Sequence, residues 1–189
     1  MHSFQITETE KVKLLTLSRN TLISHFGIAF NNNLNFELLN KLSFSGAFVS
    51  LYNDKNLRGC IGRFNLSKSI SETIEDLTLQ AALSDTRFPP VEKEEVTDLI
   101  IEISILSPLK RFFSIDEFEL GKHGVYIKSG YDSGTFLPQV AEKTNWTKEE
   151  FLGHCSRDKA GIGWEGWKHA ELYCYEALVF SEKLLFSKQ

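Results

Sequence analysis

Six consecutive residues, Leu57-Arg58-Gly59-Cys60-Ile61-Gly62, constrain this chain more than any other stretch. They follow an apolar run, Gly46 to Tyr52, and a polar turn, Asn53-Asp54-Lys55-Asn56, so the whole reads as a β-hairpin. Two glycines around a cysteine remove side-chain bulk and weaken a strand, which ordinary core packing does not require. They mark a place where another backbone or a ligand approaches closely. Asn56 is the residue that suits a left-handed position in the turn.

The rest of the chain supplies elements around that hairpin. Thr7 and Glu10 form a capping box for a helix carrying Val12, Leu15, Leu22, Ile23 and Phe26, with Gly27 as its stop. Asn31-Asn32-Asn33 reads as a loop. Ser69 and Glu72 cap a second helix whose stripe is Ile70, Ile74, Leu77 and Ala81, with Pro89-Pro90 closing the element. In the strand from Leu99 to Leu106, Leu99, Ile101, Ile103 and Ile105 share an apolar face, which is expected to receive that stripe, while Ile100, Glu102, Ser104 and Leu106 share a mixed one. Gly124 to Lys128 and Gly134 to Leu137 form a second hairpin. Thr147 and Glu150 cap a further helix that ends before Gly161, and the aromatic, β-branched run Glu171 to Phe180 is a strand. Hairpins outnumber βαβ units, so the fold class is α+β, a largely antiparallel mixed sheet flanked by helices. With no repeat or linker, residues 1–189 read as one domain, with its motif core over about 9–182.

Composition narrows the function classes. A 42% hydrophobic and 24% charged content is that of a water-exposed globule with a substantial core. No apolar run is long enough for a membrane span, and the N-terminus lacks a signal-peptide pattern, so a cytoplasmic location is expected. Cys60, Cys155 and Cys174 are odd in number and lack metal or redox spacing, which argues against a disulfide framework. The net charge of −4 argues against nucleic acid as the main partner. The five histidines show no ligand spacing, so no metal site is expected, and no phosphate-binding glycine loop points to a cofactor.

Several motifs fall in one order: Gly46-Ala47-Phe48-Val49, the Leu57–Gly62 hexapeptide, Ala81-Ala82-Leu83-Ser84-Asp85-Thr86-Arg87-Phe88-Pro89-Pro90, Glu102 to Pro108, Gly121-Lys122-His123-Gly124, Phe136 to Ala141 and Lys159-Ala160-Gly161. This series resembles the AMME chromosomal-region protein family (the AMMECR-type domain) over nearly the whole chain, here as a bacterial-type stand-alone form. The resemblance implies a two-lobed α+β domain with no settled activity. It also implies a pathway shared with radical-SAM proteins and Memo-like proteins, which accompany such domains in bacteria.

The residues offer their own candidates. Cys60 is a candidate nucleophile, with Arg58 or Arg63 as nearby cations, or else a buried small hydrophobe. Arg58 suits a planar anion clamp, or a salt bridge to Asp85 or Glu102. Asp85 caps backbone amides of its turn with Arg87 reaching back to it, or the rigid loop presents Arg87 to a ligand. His123 is a candidate acid or base, or a surface turn residue. Gln139 lines a cleft or caps a helix start. Trp164 and Trp167 form a stacking lip or clamp a loop to the core. Arg58, Gly59, Gly62, Asp85, Arg87 and Gln139 are thus the ligand-binding candidates, with Cys60 and His123 as catalytic ones. The hairpin, the Asp85–Pro90 turn and the Gly121–Gly124 turn are expected on one cleft. The leading reading is a pocket-bearing domain for a small anionic ligand or a peptide or protein segment. A cysteine-dependent enzyme is second and a nucleic-acid module third.

Overall fold

The computed structural model describes residues 4–27, 35–37, 39–64 and 68–183, so the loop expected over Asn31-Asn32-Asn33 lies outside the described residues. The chain divides into two compact units, Met1–Ile105 with Leu178–Gln189, and Leu106–Ala177. The fold is α+β, and every strand pair with a described register is antiparallel.

In the first unit, helix α1 (Glu8–His25) opens with the Thr7/Glu10 capping box, and Gly27 follows it at φ +76°. Strands β1 (Gly46–Asn53) and β2 (Asn56–Phe64) form the expected hairpin. Its left-handed position is taken by Asp54, at φ 54°, and not by Asn56, which already pairs with Asn53 as the first residue of β2. Helix α2 (Ile70–Leu83) starts at the Ser69/Glu72 capping box. It stops at Leu83, well before Pro89-Pro90, because the chain turns at Ser84-Asp85. Strand β3 (Leu99–Leu106) lies beside β1, and the end of strand β7 (Glu171–Ser181) lies beside β3.

Alternation sorts the strands' side chains as the sequence suggests. Ala47, Val49, Leu51, Leu99, Ile101, Ile103 and Ile105 join Ile70, Ile74, Leu77 and Ala81 in one buried core. Within it α2 packs chiefly on α1, β1 and β2, so the expected contact with the β3 face is the lesser part of its packing. Arg19 fixes α1 to the rest: its guanidinium pairs with Glu182 and donates to the carbonyls of Val96 and Leu99.

The second unit holds β4 (Lys110–Phe112), β5 (His123–Ser129), β6 (Asp132–Phe136), the short helices α3 (Pro138–Glu142) and α4 (Lys148–His154), and the first part of β7. β7 pairs with β4 and with β5, and β5 pairs with β6. A π-helical turn, Cys155–Lys159, continues α4. Its core is aromatic, with Phe112, Phe118, Phe136, Phe151 and Trp167 around Val125, Ile127 and Leu152. β4 escapes the sequence reading because three residues are too few to show a period, and of α3 the sequence offers only the helix start at Gln139.

Candidate functional site

The hexapeptide and the Asp85–Pro90 turn are brought together, and each residue of the first has a definite neighbour. A one-residue register shift between Leu51 and Tyr52 leaves Arg58 as the extra residue of a β-bulge. The bulge aims its side chain off the strand. Arg58 donates to both carboxylate oxygens of Glu95 at 2.8 and 2.9 Å, and to the carbonyls of Pro89 and Pro90 at 2.8 and 3.1 Å. Its salt-bridge partner is therefore Glu95, not Asp85 or Glu102, and the planar fork is occupied by acceptors of the protein itself. That pairing holds the Glu95 carboxyl below its ordinary range.

The glycines answer to packing. A Cβ on Gly59 would sit 2.1 Å from the carbonyl oxygen of Ala81, so the close backbone is that of α2. A Cβ on Gly62 would overlap the Phe48 ring at 2.0 Å. Of the two approaches that such glycines permit, these positions use those made by the chain itself. Between them, the Cys60 N–H donates to Asp85 Oδ2 at 2.8 Å, and the Cys60 carbonyl accepts from Arg87 Nη2 at 3.1 Å. Asp85 and Arg87 are themselves paired through Nε (2.9 Å) and Nη2 (2.7 Å). The two side chains thus supply, at Cys60, the acceptor and donor that a further strand would have supplied to an edge. The Arg87 guanidinium, aided by the Cys60 and Arg87 amides, holds the buried Asp85 carboxyl well below the usual carboxylate range.

On the face of this sheet opposite the core, polar side chains cross three strands. Ser50 Oγ donates to Cys60 Sγ at 3.2 Å, and Tyr52, two residues along the same face, donates to Glu102 Oε1 at 3.4 Å. Burial, with the nearby charge of Glu102, pushes the Tyr52 phenol up, so it remains a donor. Beside it opens a hollow of about 310 Å³ lined by Tyr52, Asp54, Lys55, Ile100, Glu102, Ser181 and Lys183. The sequence reading left Ser50 and Tyr52 aside and weighed Glu102 only as a salt-bridge partner. The available signal was alternation: Ser50 and Tyr52 occupy the strand face that Ala47, Val49 and Leu51 leave.

The remaining candidates belong to the second unit and are accounted for there. His123 Nδ1 accepts from the Glu119 N–H at 3.0 Å, while the His123 N–H donates to the Glu119 carbonyl, so the side chain fastens the turn at Gly121 (φ +83°). Partial burial and the Lys122 charge push its imidazole down, toward the neutral form. Gln139 stands in the first turn of α3, with a buried Oε1 that has no partner among the described residues. Cys155 and Cys174 are buried, and burial pushes the Cys155 thiol up to about 12. Trp164 lies where a Cβ on Gly153 would be, 2.6 Å from its ring, and edge-on to His154, so it clamps its loop to α4.

Known proteins share this arrangement of chain. A crystal structure of an uncharacterised protein from Pyrococcus horikoshii, PH0010, matches with a TM-score of 0.75 at 30% identity, over 90% of each chain. A Methanosarcina acetivorans protein is 41% identical over 144 residues, covering 73% of this chain and 72% of the other. The Methanocaldococcus jannaschii protein MJ0810 is 35% identical over 72% and 73% of the two. The AMMECR1 family model matches residues 15–180, a span that holds the Arg58–Glu95 and Asp85–Arg87 lock, and the chain belongs to that family.

Proposed function

We propose that this AMMECR1-family chain is a ligand-binding domain whose small, anionic-group-bearing ligand sits on the outer face of the first unit's sheet. The observation that carries this reading is the hollow beside Tyr52 and Glu102, where a hydrogen-bonded phenol and carboxylate, together with Asp54, meet two lysines and the apolar Ile100. Such a mixture suits a small polar molecule: Lys55 and Lys183 attract its anionic group, and the Tyr52–Glu102 pair orients a hydroxyl or amine. The rigid Asp85–Arg87 lock keeps the β2 edge in place beneath the neighbouring thiol. The accessory role in a radical-SAM and Memo-like pathway, which the family resemblance implies, belongs to the same reading.

Amide signals followed during titration of the full chain with phosphate and with succinate test it. The expected shifts fall at residues 52–55 and 100–102, and they shrink in Tyr52→Phe and Lys183→Ala. Signals that stay still at these positions with both anions defeat the proposal.

A second reading, thiol chemistry at Cys60, is favoured by the hydroxyl that Ser50 directs at the sulfur. That bond stabilises a thiolate without removing a proton. Alkylation by iodoacetamide separates the two: a Cys60 that reacts no faster than an unstructured thiol leaves binding as the better account.

A further inference from the structure

We propose that the hollow beside β4, in the second unit, docks an acidic peptide segment of a partner protein through one aromatic or aliphatic anchor side chain. This site is separate from the hollow at Tyr52 and does not rest on it. Four features carry the inference.

The cavity is about 280 Å³, with Phe112, Ile115 and Leu172 as apolar lining. That is just under the usual range of about 300–1,000 Å³ for small-molecule sites, and it suits a single large side chain better than a cofactor. Next, Phe113 stands at its rim 81% exposed, beside a Phe112 that is fully buried. A large ring left in water next to an apolar hollow is the kind of surface that a partner covers. Trp167 lines the same hollow, so more than one aromatic ring is available to an incoming anchor.

Charge then selects the partner. Arg111 and Lys168 both line the hollow, Arg111 lying 5.1 Å from the centre of the Phe113 ring and Lys168 5.6 Å from that of Trp167, with Lys168 held in an exposed surface pair with Glu165 that an incoming carboxylate can replace. Stacking on a ring leaves the in-plane N–H groups of a guanidinium pointing outward, ready for a carboxylate. The existing pair of Arg111 with Glu171 is loose, at 3.9 Å with both side chains about half exposed, so it gives way readily. Lys110, also exposed, adds a second cation to β4 itself. Finally, β4 pairs with β7 alone among the described strands, so an extended segment can add to it through main-chain hydrogen bonds. A cationic edge strand repels basic segments and favours acidic ones.

Selection from a phage-displayed library of random heptapeptides on the immobilised full chain tests the proposal. The expected consensus combines acidic residues with one aromatic or large aliphatic residue. Peptides made to that consensus should bind at least about tenfold more weakly to Phe113→Ser and to Arg111→Glu, the loss typical of an interface anchor. Both positions are exposed, so the melting temperatures of the variants should match that of the parent chain. Failure to enrich any consensus, enrichment of basic peptides, or equal binding by both variants overturns the proposal.

Discussion

Each unit places a glycine where a side chain would strike a neighbouring main chain, but each fastens that close approach with different chemistry. In the first unit Gly59 faces the carbonyl of Ala81, and directional bonds from Arg58, Asp85 and Arg87 hold the strand there. In the second, Gly134 faces the backbone at Lys159-Ala160, while rings do the fastening nearby: Trp146 stacks on His154 at 3.8 Å, and Trp164 meets His154 edge-on. Hydrogen-bonded ion pairs need particular partners at particular distances, whereas rings tolerate sliding. The first unit's lock therefore leaves a dense, charged motif in the sequence that looks like a ligand site. The second unit's clamp leaves only scattered tryptophans and glycines. Density of Gly, Arg and Asp in a motif reflects how exacting the contact is, and the contact here is with the chain itself.

The largest effects should come from the glycines, and they separate main-chain obstacles from side-chain ones. Gly59→Ala puts a methyl 2.1 Å from the Ala81 oxygen, and Gly134→Ala puts one 2.4 Å from the Ala160 nitrogen. A helix backbone or a tight turn cannot move aside cheaply. Each variant should lose about 3 kcal/mol or more in urea unfolding, at or beyond the top of the usual overpacking range. Gly62→Ala meets only the Phe48 ring, which can rotate away, so it should lose distinctly less. Equal losses at positions 59 and 62 would show that the α2 backbone yields as easily as a ring.

Much of the first unit was legible because its signals are local. Capping boxes at Thr7 and Ser69 set its helix starts, as the one at Thr147 does in the second unit, and alternation through Leu99–Leu106 separated a core face from a mixed one. The meeting of Cys60 with Asp85 and Arg87 was not legible, since spacing along a chain does not reveal which of several carboxylates a distant Arg will reach. Glu95 was overlooked as the partner of Arg58 for that reason, and because the aiming comes from a bulge that the sequence does not announce. The Ser50–Tyr52–Glu102 face was missed for another reason. Its polar residues are ordinary for a strand's outer side, and only the fold shows that three strands bring them together.

The next effect in size tests whether the lock is electrostatic. Asp85→Asn preserves shape but removes the charge that answers Arg87, and an amide satisfies fewer of the donors that converge there. Because Asp85 is only 6% exposed, the loss should be about 1–3 kcal/mol, the range for leaving buried polar groups poorly paired. Thermal unfolding together with hydrogen exchange at the Cys60 amide should show both a lower melting temperature and faster exchange. A stable variant with an unchanged Cys60 amide would mean that packing alone holds β2.

The smallest effect is expected at Asp158, and it makes the sharpest contrast. Its carboxyl, like that of Asp85, is held well below the ordinary range by an adjacent guanidinium, here Arg157, with His154 adding to it. A carboxylate with a depressed folded pKa stabilises the fold fully above its unfolded value, about 3.9 for Asp, and that stabilisation is lost as the pH falls through the folded value. Both aspartates therefore have the same sign and act in the same acid window, below about pH 4. They differ in the exposure of the carboxylate: the Asp158 side chain is 40% exposed and that of Asp85 5%, while the two arginines are alike at 52% and 57%, so water and salt screen the Asp158 charge far more. Asp158→Asn should leave stability unchanged within error from neutral pH down through pH 4. Asp85→Asn should flatten the acid limb of the stability curve, because the group whose protonation weakens the wild-type fold has already been removed. If Asp158→Asn flattened that limb as much as Asp85→Asn, burial would not be what distinguishes the two units' ion pairs.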